Sequence, residues 1–256
     1  MKSALDTTKI LLAGLPLVLA GCWANTEHVG STNIMADETK PGASCEPATS
    51  GSSEGVASKS PEAKSPEAKS SKPTKTELAT FGAGCFWCVE ADFDQVEGVI
   101  KTISGFSGGM LANPTYKEVT AGTSGHVEAV QIIYNPEIVS FENLLDIFWH
   151  SIDPIDEGGQ FCDRGSPYLT AIFTHSQEQQ VWAEESKEKL ESVAALERPV
   201  ATNIAPLTNF YPAEEYHQDF YLKNTIRYKY YRFRCGRNER LEELWGSEAL
   251  RGLQPH

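Results

Sequence analysis

Two thiols stand three positions apart in the stretch FGAGCFWCVE, which runs from Phe81 to Glu90. Gly82 and Gly84 come just before Cys85, and Phe86 and Trp87 separate it from Cys88. A cysteine that follows glycines at the start of a helix meets unpaired backbone N–H groups and the positive end of the helix dipole, and both favour the thiolate. The glycines let the backbone turn and leave the sulfur within reach. Cys85 is therefore expected to be a low-pKa, accessible nucleophile. The plainer alternative is a buried cysteine packed as a small hydrophobe. Two glycines and a second thiol in one turn argue against it. Phe86 and Trp87 can wall off an apolar slot for a small group such as a methyl, or can simply pack in the core.

GCFW with Glu90 shortly after it resembles the methionine sulfoxide reductase A family, and the resemblance continues in order along the chain. GFSGGMLANPTYKEV, GHVEAVQIIYNP, FWHSIDP, FCDRGSPYLTAIF and FYPAEEYHQDFYLKN follow one another, so that nearly all of 78–246 is covered. The resemblance implies a two-layer α+β sandwich of the ferredoxin-like plait. It also implies reduction of the S-epimer of methionine sulfoxide, free or in protein, with no cofactor and no metal.

The chemistry is intelligible in its own terms. A sulfoxide sulfur is electrophilic once its oxygen is protonated or hydrogen-bonded. Attack by Cys85 releases the thioether and leaves a sulfenic acid on Cys85. A second thiol condenses with it to a disulfide, and an external dithiol resets the enzyme by exchange. The resemblance assigns the oxygen-binding acid to Glu128. Its apolar neighbours Val127, Ala129 and Val130 would raise its pKa so that it can donate a proton, although strand alternation alone reads it as solvent-facing. Tyr116 and Tyr168 match the two hydroxyl donors, and Asp163 a substrate-positioning carboxylate, though Asp before Arg-Gly is also an ordinary turn residue. Glu90 is read as supporting. His126, His150 and His217 are read as structural, since no metal-ligand spacing links them.

The resolving thiol is open among Cys235, Cys162 and Cys88, in that order. Cys235 fits the family's tail position and Gly236 would ease a swing. Cys162 adjoins Asp163. Cys88 is nearest in sequence but follows on a helix turn, where its plainer role is packing. Many relatives resolve through a glycine-rich tail, whereas Cys235 here leads into the charged, helix-like RNERLEELWG.

The elements that must position these groups follow from periodicity. ELATFGAG, VIKTISGFSGG, HVEAVQIIYNP, PYLTAIFTH and PVATNIAPL read as strands. CFWCVEADFDQV, SFENLLDIFWHSI with Ser140 as N-cap, SQEQQVWAEESKEKLESV with a Ser176–Gln179 capping box, PAEEYHQDFYLKN and NERLEELWG read as helices. Pro114 is expected at the first position of a short helix. The long loop over 153–166 is expected to carry function.

The aromatics are confined to the later part of the chain. Of eleven Phe, five Trp and nine Tyr, only Trp23 lies in the first 75 residues. That segment cannot bury enough surface to order itself, so the catalytic domain is expected over 76–256. Residues 1–75 carry eight lysines against eight acids, which leaves the whole net charge of −13 on the domain. An acidic domain argues against nucleic acid and anionic membrane surfaces as partners. Lys2, Lys9, the apolar run ILLAGLPLVLAG and LAGC ending at Cys22 resemble a bacterial lipoprotein signal over 1–21, with Cys22 lipidated. Residues 22–75, with SPEAK repeated twice, would then be a tether. The expected enzyme is a monomer in the cell envelope, facing the periplasm or exterior. It would touch the membrane only through its lipid and be served by a thioredoxin-like reductant. Two rivals exist. A dithiol oxidoreductase would use Cys85 and Cys88 as a C-x-x-C pair. A lipid-anchored zinc module would need ligands that no second C-x-x-C supplies.

Overall fold

A computed structural model describes residues 75–193 and 196–253. Cys22, Cys45, the expected signal and the expected tether lie outside the described residues. In chain order the elements are β1 (Glu77–Ala83), α1 (Phe86–Phe93), β2 (Val99–Ser107), α2 (Tyr116–Thr120), β3 (Val127–Tyr134), α3 (Phe141–Trp149), β4 (Gly159–Gln160), β5 (Asp163–Arg164), β6 (Thr170–Thr174), α4 (Gln177–Val193), β7 (Asn203–Pro206), β8 (Phe210–Pro212), α5 (Phe220–Lys223), α6 (Thr225–Arg234) and α7 (Arg237–Trp245).

Six strands form one sheet in the order β7-β6-β1-β3-β2-β8. The inner four are antiparallel throughout. Helix α1 links β1 to β2 while β3 fills the place between them, and α3 lies on the link from β3 to β6 across β1. This split crossover, made twice, is the two-layer α+β sandwich of the ferredoxin-like plait. β7 adds parallel to β6 and β8 antiparallel to β2, so the plait is widened at both edges.

The core lies between the sheet and α1, α3 and α4. Phe81, Val130, Ile132 and Tyr134 from the strands meet Phe93, Phe141, Leu144 and Phe148 from the helices, all buried. Phe81 contacts the rings of Phe93, Phe141 and Phe148 at centroid distances of 5.5, 6.0 and 5.0 Å. A fully buried ring of this kind contributes roughly 2 kcal/mol relative to an exposed one. A smaller apolar cluster of Ala129, Ala171 and Phe173 covers the opposite sheet face. On that face of β3 Ala129 is buried, while Val127, Gln131 and Ile133 are half-buried.

Helix starts differ from expectation in detail. Thr115, not Pro114, begins the short helix α2: its side chain accepts from Glu118 N–H while Glu118 reaches back to Thr115 N–H, so Pro114 falls before the cap. Ser176 accepts from Gln179 N–H at 3.1 Å, but the Gln179 side chain turns instead to His175 N–H and the Leu78 carbonyl, so only half the expected box forms. PAEEYHQDFYLKN is not one helix. Asp219 adopts a left-handed φ of 52°, which separates a short 3₁₀ turn over Glu215–His217 from α5.

Candidate active site

Gly84 sets the entry to α1. Its φ is +79°, and a Cβ there would stand 2.6 Å from the Cβ of Gln160, so glycine alone passes. Cys85 is the N-cap of α1, and its carbonyl accepts from Cys88 N–H at 3.1 Å and Val89 N–H at 3.3 Å. Its side chain makes no cap hydrogen bond. The N–H of Phe86, one of the free donors of the first turn, is taken by Glu128 Oε2 at 2.9 Å. The helix terminus thus holds a carboxyl oxygen.

This overturns the expectation of a low-pKa, accessible Cys85. Cys85 is only 6 % exposed. Burial pushes its thiol well above the ordinary range, and its hydrogen bond with Cys88 pushes the same way. Cys88 moves in the opposite direction, to about 7: the hydrogen bond from Cys85 is the largest cause, with Arg237 and Arg232 adding to it. The two thiols are thus pushed in opposite directions.

Glu128 sits on β3 in the row with Val130, Ile132 and Tyr134 that faces the helices. It stands at the end of that row, opposite Phe106 of β2, and is 1 % exposed. Burial raises its carboxyl to about 8, against the pull of the Phe86 N–H. It is therefore protonated at neutral pH. Tyr116 opens α2, its N–H bound to Glu214 Oε1 at 3.1 Å. Tyr168 ends the turn after β5. Both hydroxyls are raised by burial, and by the nearness of Glu128, Cys85 and Asp163. Asp163 lies on the β4–β5 hairpin, inside the long loop expected to carry function. Burial raises it, while the hydroxyl of Tyr231 donates to it and Arg237 pulls it down. The structure thus brings Cys85, Glu128, Tyr116, Tyr168 and Asp163 into one electrostatically coupled group.

Phe86 is buried in the main core and stacks on Tyr116 at 6.2 Å. Trp87 is half-buried and lies flat on Phe220, with centroids 3.8 Å apart and planes 9° from parallel. Its indole N–H donates to His217 Nδ1 at 3.0 Å. The His217 ring lies 4.2 Å from Tyr116 and 5.0 Å from Phe86. An aromatic box of Phe86, Trp87, Tyr116 and His217 therefore abuts the thiols. Sequence reasoning gave His217 a structural role, and it does brace Trp87. Tyr231, Arg232 and Arg237 were missed, because nothing in the run RYKYYRFRCGR marks which members turn inward. A cleft of about 520 Å³ beside Trp149, Trp182 and Trp245 contains none of these residues.

Cys235 does not meet Cys85 directly. Its sulfur is bonded to Cys162, 73 residues away, while Cys85 and Cys88 are free. The free thiols among the described residues are Cys85 and Cys88, three positions apart at the start of α1. The disulfide joins the Asp163 hairpin to the end of α6, and Cys235 Sγ lies 3.8 Å from Asp163 Oδ2. Nor is the tail free to swing: Arg237, two residues on, is 2 % exposed and donates to the carbonyls of Ala83 and Ser151. Cys162, Asp163 and Cys235 present ligand atoms within 4.8 Å of one another, but their two sulfurs are spent on the disulfide. That weakens the zinc reading.

A sulfur nucleophile grouped with a buried carboxyl, two phenols and a second thiol marks a thiol-dependent reductase built on an α+β plait. The model of the family described as peptide methionine sulfoxide reductase matches residues 77–249. Peptide methionine sulfoxide reductase MsrA of Bacillus licheniformis is 51 % identical over 172 residues, which cover 67 % of this chain and 95 % of that protein. The MsrA of Bacillus subtilis is 48 % identical over 174 residues, covering 68 % and 98 %. Among solved structures, Mxr1 from Saccharomyces cerevisiae in reduced form superposes with a TM-score of 0.56 at 30 % identity, covering 60 % of this chain and 88 % of that one. Methionine sulfoxide reductase A of Corynebacterium diphtheriae does so with 0.54 at 34 % identity, covering 60 % and 77 %. The chain belongs to the peptide methionine sulfoxide reductase family, in its MsrA branch, and is a thiol-dependent methionine sulfoxide reductase.

Proposed function

We propose that this enzyme reduces the S-epimer of methionine sulfoxide, free and within proteins, and does so at the cell envelope, tethered through a lipid on Cys22. The observation that carries the chemical part is the 2.9 Å hydrogen bond from Phe86 N–H to Glu128, which fixes a protonated carboxyl beside the nucleophile. The substrate's methyl rests against Phe86 and Trp87, and its oxygen is held by Glu128, Tyr116 and Tyr168. Asp163 positions the rest of the residue.

At rest Cys85 is the thiol, Cys88 the thiolate and Glu128 the acid. As Cys85 sulfur attacks the sulfoxide sulfur, its proton passes to Cys88 and Glu128 protonates the oxygen. The thioether leaves, and Cys85 retains the oxygen as a sulfenic acid. Cys88 then attacks that sulfur. The S–O bond breaks, and the hydroxyl leaves as water with the proton of Cys88. The Cys85–Cys88 disulfide remains, with Glu128 ionised, so the site carries one negative charge before and after. A thioredoxin-like dithiol supplies two electrons and two protons to restore Cys85 and Glu128. Cys162 is exposed while Cys85 and Cys88 are buried. Exchange therefore begins at the Cys162–Cys235 bond, and Cys235, beside Asp163, carries it inward.

Two measurements test the reading. Purified full-length chain is expected to convert the S-epimer and leave the R-epimer untouched; equal turnover of both overturns the assignment. Cys22→Ala is expected to move the chain from the membrane to the soluble fraction of its host, and unchanged fractionation overturns the anchor.

A further inference from the structure

Beneath Cys88 lies a buried group of charges that the reaction just described does not use. Asp92 is fully buried, and the guanidinium groups of Arg232 and Arg237 flank it with N–O distances of 2.9 and 3.8 Å. Their side chains are 4 % and 2 % exposed. Guanidinium does not deprotonate in proteins, so two fixed positive charges face one carboxylate. The arginines' other hydrogen bonds go to neutral acceptors. Arg232 donates to Tyr228 Oη at 3.1 Å and Asn238 Oδ1 at 3.0 Å. Arg237 donates to the Ala83 and Ser151 carbonyls and lies 4.7 Å over the Phe161 ring. Arg232 Nη2 and Arg237 Nε are buried with no hydrogen-bond acceptor. An uncompensated buried cation is costly, so the group calls for a second anion.

The helix places a candidate beside it. Cys88 and Asp92 are four residues apart on α1 and share one face. Cys88 packs with Tyr228, Ala91 and Phe220, and Tyr228 is the residue whose hydroxyl Arg232 binds. We infer that Arg232 and Arg237, anchored by Asp92, are positioning residues that hold Cys88 as a standing thiolate one turn from the nucleophile. The remaining groups that act on Cys88 fit this balance. Cys85 donates to it. Tyr228 and Tyr231 are raised and so neutral, and Glu128 is protonated at neutral pH. Asp163 also feels Arg237, but its carboxyl is bound by Tyr231 and half open to solvent. The inference rests on the proposed mechanism only for the use to which the thiolate is put.

The test separates the two. In a Cys85→Ser chain, whose hydroxyl still donates to Cys88, iodoacetamide alkylation of Cys88 is followed against pH by mass spectrometry of its own peptide. Cys88 is expected to react with a midpoint near neutrality, below the ordinary cysteine value of about 8.5. Arg232→Met should raise that midpoint by about one unit or more, which is about tenfold less thiolate at pH 7. Asp92→Asn should lower it, because it removes the opposing negative charge. Arg232→Lys, which keeps the charge, should preserve most of it. An ordinary midpoint in the Cys85→Ser chain overturns the inference. So does a shift in the same direction for Arg232→Met and Asp92→Asn, since loosened packing would move both alike. If Arg232→Met fails to fold by near-ultraviolet circular dichroism, the Asp92→Asn shift decides. A separate single turnover of the unsubstituted chain identifies the cysteine joined to Cys85. A partner other than Cys88 removes the resolving role and leaves the arginine role standing on the titration.

Discussion

Cys85→Ser is expected to abolish methionine sulfoxide reduction, by about 10⁴-fold or more in kcat, without loosening the fold. Serine is a favoured N-cap residue and can take the place of a sulfur that makes no cap hydrogen bond. The thermal midpoint should therefore stay level or rise, which locates the loss in the chemistry. A hydroxyl is a far weaker nucleophile than a thiol that can pass its proton to a neighbouring thiolate. Cys88→Ser gives the contrasting outcome. One equivalent of methionine forms per chain, more slowly because the thiolate that takes the Cys85 proton is gone, and the enzyme then stops with a sulfenic acid on Cys85 that a sulfenic-specific probe captures. A dithiol oxidoreductase acting through both sulfurs would lose that first equivalent as well. Retained turnover in Cys85→Ser, or no first equivalent in Cys88→Ser, would remove the assigned roles.

The strands and helices were largely legible in the sequence because the strands carry strong periodicity and the helices begin with recognisable caps, whereas the plait itself was implied by the family resemblance. Ser140 caps α3 as expected, accepting from Asn143 N–H. What was not legible depended on cover supplied from far along the chain. Strand alternation alone placed Glu128 toward solvent. It is buried because α1 begins directly over the end of its row and spends a backbone donor on it. A helix start preceded by glycines argued for an exposed, acidic Cys85. Instead the free donor beside it goes to Glu128, and the segment from His217 to Arg237 closes over the turn.

The disulfide shows a different limit. Four cysteines in a domain permit three complete pairings, and spacing alone does not choose among them. The pairing of Cys162 with Cys235 follows from the β4–β5 hairpin reaching the end of α6, a contact across 73 residues. Charge pattern was misleading in the same region. RNERLEELW reads as a solvated helix, yet Arg237 is almost fully enclosed because Asp92 and two backbone carbonyls await it inside. Composition reports how many charges there are; only packing determines which of them are buried.

Glu128→Gln is the second large effect, and its signature lies in pH. Glutamine keeps an oxygen to accept the Phe86 N–H, so the start of α1 is preserved. It cannot transfer a proton to the sulfoxide oxygen, and a fall of about 10²–10⁴-fold in kcat follows for loss of a general acid. In the native enzyme the required form is the protonated carboxyl, which burial sustains up to about pH 8. Activity should decline as pH rises through that value, and the residual activity of the variant should lack that limb. Stability carries the same sign. The folded state holds its proton at a pKa above the unfolded value of about 4.3, so the contribution is complete below that value and is lost as pH rises through about 8. Glutamine has no proton to lose. The thermal midpoint of the variant relative to the native chain should therefore climb between pH 4 and pH 9. Calorimetry across that interval, set beside the two pH–rate profiles, is the check. Parallel midpoints, or an alkaline limb that survives the substitution, would mean that another group supplies the proton.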